Sequence, residues 1–584
     1  MYRTHIIKEI TKELIGKEVQ LAGFVRVKRD LGGFVFIELK DHDGMMQLNT
    51  QDETLINIIK DIPLESCISV KGILQKRPED NINELRETGD LEVILSEIEV
   101  LNKVKNVLPF EIERSHETRE DLRLEYRFLD LRNDNIHKKI VFRSEVLKFL
   151  RDKMTSLGFV EIQTPILTSS SPEGARDYII PSRIHKGEFY ALPQAPQQFK
   201  QLLMISNFDK YYQIAPCFRD EDPRADRLPG EFYQLDFEMA FATEEEVHEV
   251  LQEVVSDLFT KKGLTSISKD SFKKIKYIDA MNKYGSDKPD LRNPLVLTDL
   301  SDAFENTDFN VFKGKKIKAI AFDSSKVTRK FFDEMVVYSK EILGLPGLAF
   351  IKVNEDMTIS GSISKFITSE VKEKLTEKGI YYKNVGIVFL ADTDLLKVCK
   401  DAGNIRNELG SRLDIIDKSE YKFCFIVDFP FYELNDEGKI EFSHNPFSMP
   451  IGGMDSLMNK NPLDIEAYQY DLVCNGYEIA SGAVRNHDTE VMVKAFEIAG
   501  YSESEVENRF GSLYNAFKYG APPHAGAAPG IDRLIMLLLG ENNVREVTAF
   551  PKNSKARDAL MKAPNFVMDS QLKEVHIKID NDKK

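Results

Sequence analysis

Between residues 210 and 241 the sequence sets charged, amide and thiol groups at every second position. In the first half Tyr211, Gln213, Ala215, Cys217, Arg219 and Glu221 share one face, and Tyr212, Ile214, Pro216 and Phe218 the other. In the second half Phe232, Gln234, Asp236 and Glu238 oppose Tyr233, Leu235, Phe237 and Met239. Residues 222–230, with two prolines, Arg224 and Arg227, form the connecting loop. This period of two predicts an antiparallel hairpin whose polar face carries both signs of charge over an apolar back. A solvated surface is polar too, but Cys, Gln, Phe and Asp beside Arg favour a binding site.

A second set lies downstream. Residues 464–474 read as a helix closed by Asn475 and Gly476, leading into a strand at Tyr477. Asp471 and Glu478 then either converge across that turn or are two unrelated surface acids; spacing leaves both open. Two convergent carboxylates suit Mg²⁺, which takes few protein ligands and keeps its water. Glu478 and Arg485 have opposite strand parity, so they face one site only across a bulge, placed at Ser481 and Gly482. Arg533 sits in the first turn of a helix over 531–539, where a cation opposes the helix dipole. Lys200 lies one turn into a helix beginning near Pro196, with Gln197 on the same face, and a helix N-terminus attracts anions.

The elements that position these residues are spread over 584 residues carrying a net charge of −16. That length implies roughly three or four domains at about 150 residues each. With 42% hydrophobic and 30% charged residues, the chain reads as soluble and globular. No apolar run approaches the roughly 18 residues of a membrane helix, and residues 1–15 lack a signal-peptide core. Five cysteines without C-x-x-C spacing argue against a disulfide framework or a cysteine zinc site, and a reducing cytoplasm is the expected location. There is no P-loop, G-x-G-x-x-G, H-E-x-x-H or G-x-S-x-G segment, so any nucleotide is held on another scaffold. The acidic balance disfavours a general nucleic-acid coat but leaves room for a local basic site.

Residues 1–106 contain five short strands (18–25, 34–39, 45–49, 66–74 and 91–100) and a helix near 52–62, the pattern of a small OB-type barrel. Val35, Ile37, Leu39, Met46 and Leu48 face inward, leaving Phe36 and Gln47 outside, with Arg26, Lys28 and Arg29 crowding the preceding turn. An outward aromatic, an amide and a cationic turn supply stacking, base-edge hydrogen bonds and phosphate attraction for a single-stranded nucleic acid. The alternative is a second core face covered by another domain. Residues 107–135 read as a charge-rich linker or hinge. A helix over 140–157 is stopped by Gly158 and followed by a strand that ends at Pro165. Residues 280–420 alternate helices and strands without a cluster of catalytic residue types.

Three of these segments carry a resemblance. "FRDED…GEFYQLDFEMAF" looks like motif 2 of class II aminoacyl-tRNA synthetases, "GFVEIQTPILT" resembles motif 1, and "GAAPGIDRLIMLL" resembles motif 3. With the barrel, "SPEGARDY", "QAPQQFKQLLM" and "SHNPF", the chain resembles the bacterial-type aspartyl-tRNA synthetases, of class II subclass IIb. The resemblance implies an α+β multidomain chain: an OB-fold anticodon-binding barrel (1–106), the linker (107–135), an antiparallel catalytic sheet flanked by helices in two parts (136–279 and 421–555), an α/β insertion domain (280–420) and a C-terminal extension (556–584). It also implies a homodimer formed through motif 1.

The same resemblance implies the chemistry. L-aspartate attacks the α-phosphorus of ATP to give aspartyl-adenylate, and the aspartyl group then passes to the 3′ end of tRNA(Asp). Arg219, Asp220 and Glu221 fall on the ATP site, with Arg219 as the α-phosphate fork and Glu221 on the adenine side. Glu478, Gly530, Ile531, Asp532 and Arg533 complete it, Arg533 gripping the γ-phosphate. Gly526, Ala527, Ala528 and Gly530 leave room for nucleotide, or else form a small-residue strand packed on a helix. Asp471 and Glu478 are the implied Mg²⁺ carboxylates. Lys200 and Arg485 read the aspartate side chain, helped by Gln197 and Arg219; Asp236 and Glu173 hold its ammonium, and His444 bonds its carboxylate. Arg29, Phe36 and Gln47 fall on anticodon contacts. Leu31 and Asp80 fall where relatives differ between charging tRNA(Asp) alone and charging tRNA(Asn) as well; Leu31 leans to strict charging and Asp80 matches neither pattern. Leu228, an additional Gly230, and Asn445 depart from the family pattern. The rivals are a relaxed-specificity enzyme feeding an amidotransferase and, more remotely, a non-catalytic tRNA-binding paralogue.

Overall fold

The computed structural model describes residues 1–170, 175–221, 228, 230–263, 267, 272–435 and 437–580. The chain divides into two compact units, Met1–Glu111 and Ile112–Lys584.

In the first unit the strands Glu18–Asp30, Val35–Lys40, Met45–Thr50, Leu91–Asn102 and Cys67–Lys76 close a barrel in that order. Val35, Ile37, Leu39, Met46 and Leu48 are buried in its core, and Phe36 and Gln47 lie on the outer face. The helix Glu53–Lys60, capped by Asp52 accepting from the Leu55 amide, presses Leu55, Ile56 and Ile59 onto that core. The bulge between Val25 and Val27 turns Arg26 inward, where its guanidinium meets Glu65 at 2.9 Å. Lys28 donates to the carbonyls of Ile59 and Ile62, closing the end of that helix. Of the three cations expected to crowd the turn, Arg29 is the exposed one.

In the second unit, eight of the described strands form one sheet. Its order is Lys273–Lys276, Phe423–Pro430, Glu466–Cys474, Tyr477–Val484, His524–Pro529, Gly230–Ala240, Lys210–Arg219 and Val160–Glu161. The predicted hairpin is there, with Gly230 opposite Arg219 and Phe237 opposite Tyr212. Its apolar back packs against three helices. Val146, Leu150 and Met154 come from Asp134–Ser156, Val247, Leu251 and Val254 from Glu244–Lys262, and Leu534 and Ile535 from Ile531–Leu538. Burying that face leaves the polar face free to line a site.

Three expectations are corrected. Residues 464–474 form a strand, Glu466–Cys474, not a helix. It runs between two neighbours near the sheet centre and is buried on both faces, so its side chains show no period of two and the short run is ambiguous in sequence. The stretch 107–135 is not a bare linker. From Ile112 onward it folds into short helical turns, including Glu120–Glu125 and Arg127–Asp130. Its charges tie it to itself and to residues 546–549: buried Arg123 reaches Asp130 at 3.1 Å and Glu546 at 3.0 Å, and Arg127 donates to the carbonyls of Thr548 and Ala549. Third, residues 280–420 build their own sheet, of the strands Leu297–Asp299, Lys316–Asp323, Val385–Asp392, Ala349–Val353 and Ile359–Gly361, yet their first turn supplies two charged groups to the site described next.

Candidate active site

The polar face of the hairpin, the strands Glu466–Cys474 and Tyr477–Val484, and the first turns of the helices Gln197–Ile205 and Ile531–Leu538 surround a cavity of about 580 Å³. Arg219, Gln197, Lys200, Asp236, His444 and Arg485 line it, as do Asp471, Glu478, Gly530, Asp532 and Arg533. Asp220 and Glu221, just past the strand, fall outside its lining, and Ile531 is fully buried in the apolar core. Glu173, Arg224 and Arg227 lie outside the described residues.

One end of the cavity is a buried set of alternating charges. Lys200 Nζ sits 2.7 Å from Asp236 Oδ1 and 3.3 Å from Glu238 Oε2. Arg485 grips Glu238 with Nε at 2.8 Å from Oε1 and Nη2 at 3.2 Å from Oε2. Burial pushes the Asp236 carboxyl above the usual carboxylate range. Burial would do the same to Glu238, but Arg485 and Lys200 outweigh it and hold that carboxyl low. Glu238 shares the polar face with Asp236 in the sequence, and that alternation was the signal for it. Its partner strand explains Gly526: a Cβ there would lie 2.2 Å from Glu238 Oε2. The small residue at 526 therefore makes room for a carboxylate of the chain itself, whereas Ala528 and Gly530 do face the cavity.

The other end gathers the remaining cations and acids. Asp471 lies opposite Ser481 across the sheet, and the register shifts between Leu472 and Val473, pairing Leu472 with Ala480 and Val473 with Glu478. The bulge that brings Glu478 round is therefore at Ile479, not at Ser481 and Gly482. Asp471 is buried, its Oδ1 has no hydrogen-bond partner, and burial together with Glu478 drives its carboxyl well upward. An orphaned carboxylate oxygen beside a second carboxylate fits a divalent cation. Among the described residues no group of three or more His, Cys, Asp and Glu side chains gathers for a metal, so any cation here has two carboxylates and its own water or ligand oxygens.

Arg533 Nη1 donates to the Glu478 carbonyl at 2.5 Å and lies 3.7 Å from its Oε1. Arg219 leans over the Phe232 ring at 5.2 Å and donates from Nε to the Gln194 carbonyl at 3.3 Å. Asp532 is held by Arg143 of the long helix at 2.5 Å and by the Tyr233 amide at 3.3 Å, so its carboxylate fixes the helix that carries Arg533. His444 is exposed at the cavity, and the protein crowded around it lowers its pKa and favours neutral imidazole. Asp287 and Lys288 also line the cavity, two residues that the sequence reading assigned to an insertion without site residues. Gly230 takes φ +85°, and a Cβ there would lie 2.8 Å from the Tyr178 hydroxyl and 2.9 Å from Lys552 Nζ. Leu228 lines the cavity.

On the barrel, Arg29 lies directly across from Phe36, whose ring is 4.7 Å from that of Phe34. Gln47 donates from Nε2 to Glu92 Oε2 at 2.8 Å, and its amide oxygen can only accept. Leu31 is 69% exposed at the turn before Phe36, and Asp80 is exposed in the turn Glu79–Asn81.

The segments quoted as motifs 2 and 3 meet directly, Gln234 bridging to Gly530. A family model described as "tRNA synthetases class II (D, K and N)" matches residues 119–554, and one described as "OB-fold nucleic acid binding domain" matches residues 19–101. The chain belongs to the class II tRNA synthetases. Among its curated relatives, the "Aspartate--tRNA(Asp/Asn) ligase" of Rickettsia felis is 49% identical over 589 residues, covering 99% of this chain and 98% of that protein. The protein of the same name from Rickettsia prowazekii is 48% identical over 591 residues, covering 99% and 97%. Among solved structures, a putative aspartyl-tRNA synthetase from Leishmania major Friedlin aligns with TM-score 0.60 at 20% identity, covering 94% of this chain and 93% of that one. An asparaginyl-tRNA synthetase from Pyrococcus horikoshii aligns with TM-score 0.57 at 18% identity, covering 94% and 98%. These two likenesses are of fold. Within this class II synthetase, the cavity joins a charge-alternating end at Lys200 and Arg485 to a cation-and-acid end at Arg533, Asp471 and Glu478.

Proposed function

We propose that this synthetase activates L-aspartate with ATP and transfers the aspartyl group to the 3′ end of tRNA(Asp). The observation that carries the reading is the sharing of one cavity by Lys200 and Arg485 at one end and by Arg219 and Arg533 along the rest.

The substrate nucleophile, a carboxylate, is already ionised at neutral pH, so the protein need not supply a strong base. What it must supply is in-line placement and cations around a phosphorus centre gaining charge. Lys200 and Arg485 hold the side-chain carboxylate of aspartate, and Asp236, with one oxygen free of hydrogen bonds, takes its ammonium. Neutral His444 bonds a substrate carboxylate without adding charge. Arg219 forks onto the α-phosphate oxygens while a carboxylate oxygen of aspartate bonds to the α-phosphorus and the bond from that phosphorus to the pyrophosphate oxygen breaks, releasing pyrophosphate. Arg533 holds the departing end, fixed by Asp532 and Glu478. Asp471 and Glu478 would hold Mg²⁺, which when bound neutralises triphosphate oxygens. A ribose hydroxyl of the tRNA then displaces AMP from the aspartyl carbonyl. Arg29, Phe36 and Gln47 read the anticodon by charge, stacking and an amide acceptor.

A second reading is that tRNA(Asn) is charged as well. The name that both Rickettsia relatives carry favours it, while exposed Leu31 leans the other way. Charging purified tRNA(Asp) and tRNA(Asn) side by side decides: aspartyl ester on both tRNAs supports the second reading, on tRNA(Asp) alone the first, and on neither refutes both. A homodimer and a cytoplasmic location belong to the same proposal. Exposed Val160, Ile166 and Leu167 beside the long helix supply apolar surface for a second copy, and no described helix is long and apolar enough to cross a membrane.

A further inference from the structure

Lys288 stands at the start of residues 280–420, outside every motif that carries the resemblance, yet its ammonium enters the cavity. Nζ lies 2.7 Å from Asp287 Oδ2 and 3.5 Å from Glu478 Oε2. On the other oxygen of the same carboxylate, Oε1, Arg533 Nη1 lies at 3.7 Å. Glu478 thus stands between two cations that reach the same end of the cavity from opposite sides, one from a helix N-terminus and one from this loop.

The loop is built to hold that position. Gly285 ends the helix Tyr277–Tyr284 at φ +71° and abuts the helix Leu395–Arg412. A Cβ on Gly285 would lie 2.3 Å from the Cys399 carbonyl oxygen, and one on Gly403 would lie 2.3 Å from the Gly285 oxygen. Buried Arg406 of the same helix donates to the carbonyls of Asp290 at 3.0 Å and Asn293 at 2.7 Å, and the Lys288 amide donates to Ser286 Oγ at 3.0 Å. A buried arginine spent on backbone carbonyls fixes a loop; it touches no ligand.

We propose that Lys288 is a phosphate-binding residue for the pyrophosphate half of ATP, delivered by the insertion and positioned by Arg406. This rests on the proposed reading of the cavity as an adenylate-forming site. Adenylate formation creates a pyrophosphate leaving group, and a second cation facing Arg533 across Glu478 stabilises it more in the transition state than in free ATP. An ammonium on a flexible stem can leave Glu478 for a phosphate oxygen without moving the backbone.

The test uses the full chain with Lys288→Met and Lys288→Arg in ATP–pyrophosphate exchange at saturating magnesium, with pyrophosphate and aspartate varied in turn. Lys288→Met should raise the KM for pyrophosphate about tenfold or more and leave the KM for aspartate within about twofold. It should transfer preformed aspartyl-adenylate to tRNA at the wild-type rate, and Lys288→Arg should recover most of the loss. An unchanged KM for pyrophosphate, with or without a shifted magnesium requirement, overturns the assignment. Calorimetric titration with ATP separates this failure from that of the functional reading. A wild-type chain that binds ATP but never exchanges fails the reading, whereas Lys288→Met binding ATP as tightly as wild type fails the assignment. Should Lys288→Met unfold, Lys288→Gln carries the same measurements.

Discussion

Arg485 and Glu238 form a bidentate ion pair with side chains only 2% and 0% exposed, and Lys200 closes on the same carboxylate. Two cations and two acids thus balance at the end of the cavity proposed to read the substrate. A ligand carboxylate arriving there makes the set net negative unless its own ammonium comes with it, which matches a zwitterionic amino acid with an acidic side chain. Removing Arg485 alone leaves buried Glu238 with only Lys200 beside it, a cation already shared with Asp236.

Arg485→Leu should therefore lose aspartate-dependent exchange and about 3–5 kcal/mol of stability. Adding Glu238→Leu should return most of the stability without returning exchange. Urea unfolding and exchange on both variants check this; exchange restored in the double variant would remove Arg485 from substrate reading.

Asp471 is a buried acid with one unpartnered oxygen, so its charge costs stability without a cation beside it. Asp471→Asn should leave the melting temperature unchanged or raise it, and should raise the magnesium needed for half-maximal exchange by about tenfold or more. A magnesium titration showing the wild-type midpoint would contradict the metal role.

Phe36→Ala should weaken tRNA charging by about 1–3 kcal/mol and spare aspartyl-adenylate formation, since it removes a stacking ring from the barrel alone. Charging and exchange measured on one preparation separate this from a folding defect, which would lower both.

His248 stacks on Phe425 with ring centres 3.9 Å apart, and burial pushes its pKa down to about 3. Above about pH 6.5, its unfolded value, neither state is protonated and its contribution is complete. As the pH falls below that, the unfolded chain binds a proton that the native chain refuses, and stability is lost. Between pH 6.5 and 5 the loss is about 2 kcal/mol. His248→Phe keeps the stack and should flatten that part of the pH dependence in urea unfolding. Neighbouring Glu244, pushed up to about 7 by burial, acts with the opposite sign, and both chains carry it together with Lys274 and Glu245. An unchanged slope would contradict the buried neutral imidazole.

The hairpin and the barrel were legible because one of their faces meets an apolar core and the other does not, so period two survives in the sequence. Glu466–Cys474 was not: buried on both faces, it carries no alternation, and Asp471 was placed on a helix. The site was legible where strand parity determines a face, as at Arg219, Asp236 and Glu238. Parity broke at the Ile479 bulge, whose location depends on register with Leu472 rather than on local residue type. Lys288 was hidden for another reason. Its place in the cavity depends on Gly285 meeting Gly403 and on Arg406, more than a hundred residues downstream, contacts that no local pattern announces.

The most direct test of the account is ATP–pyrophosphate exchange by the purified full chain with aspartate, asparagine or no amino acid. Lys200 and Arg485 predict exchange that depends on aspartate and is absent with asparagine, whose side chain offers them no anion. Equal exchange with asparagine, or none with aspartate, would contradict a carboxylate-reading adenylate site.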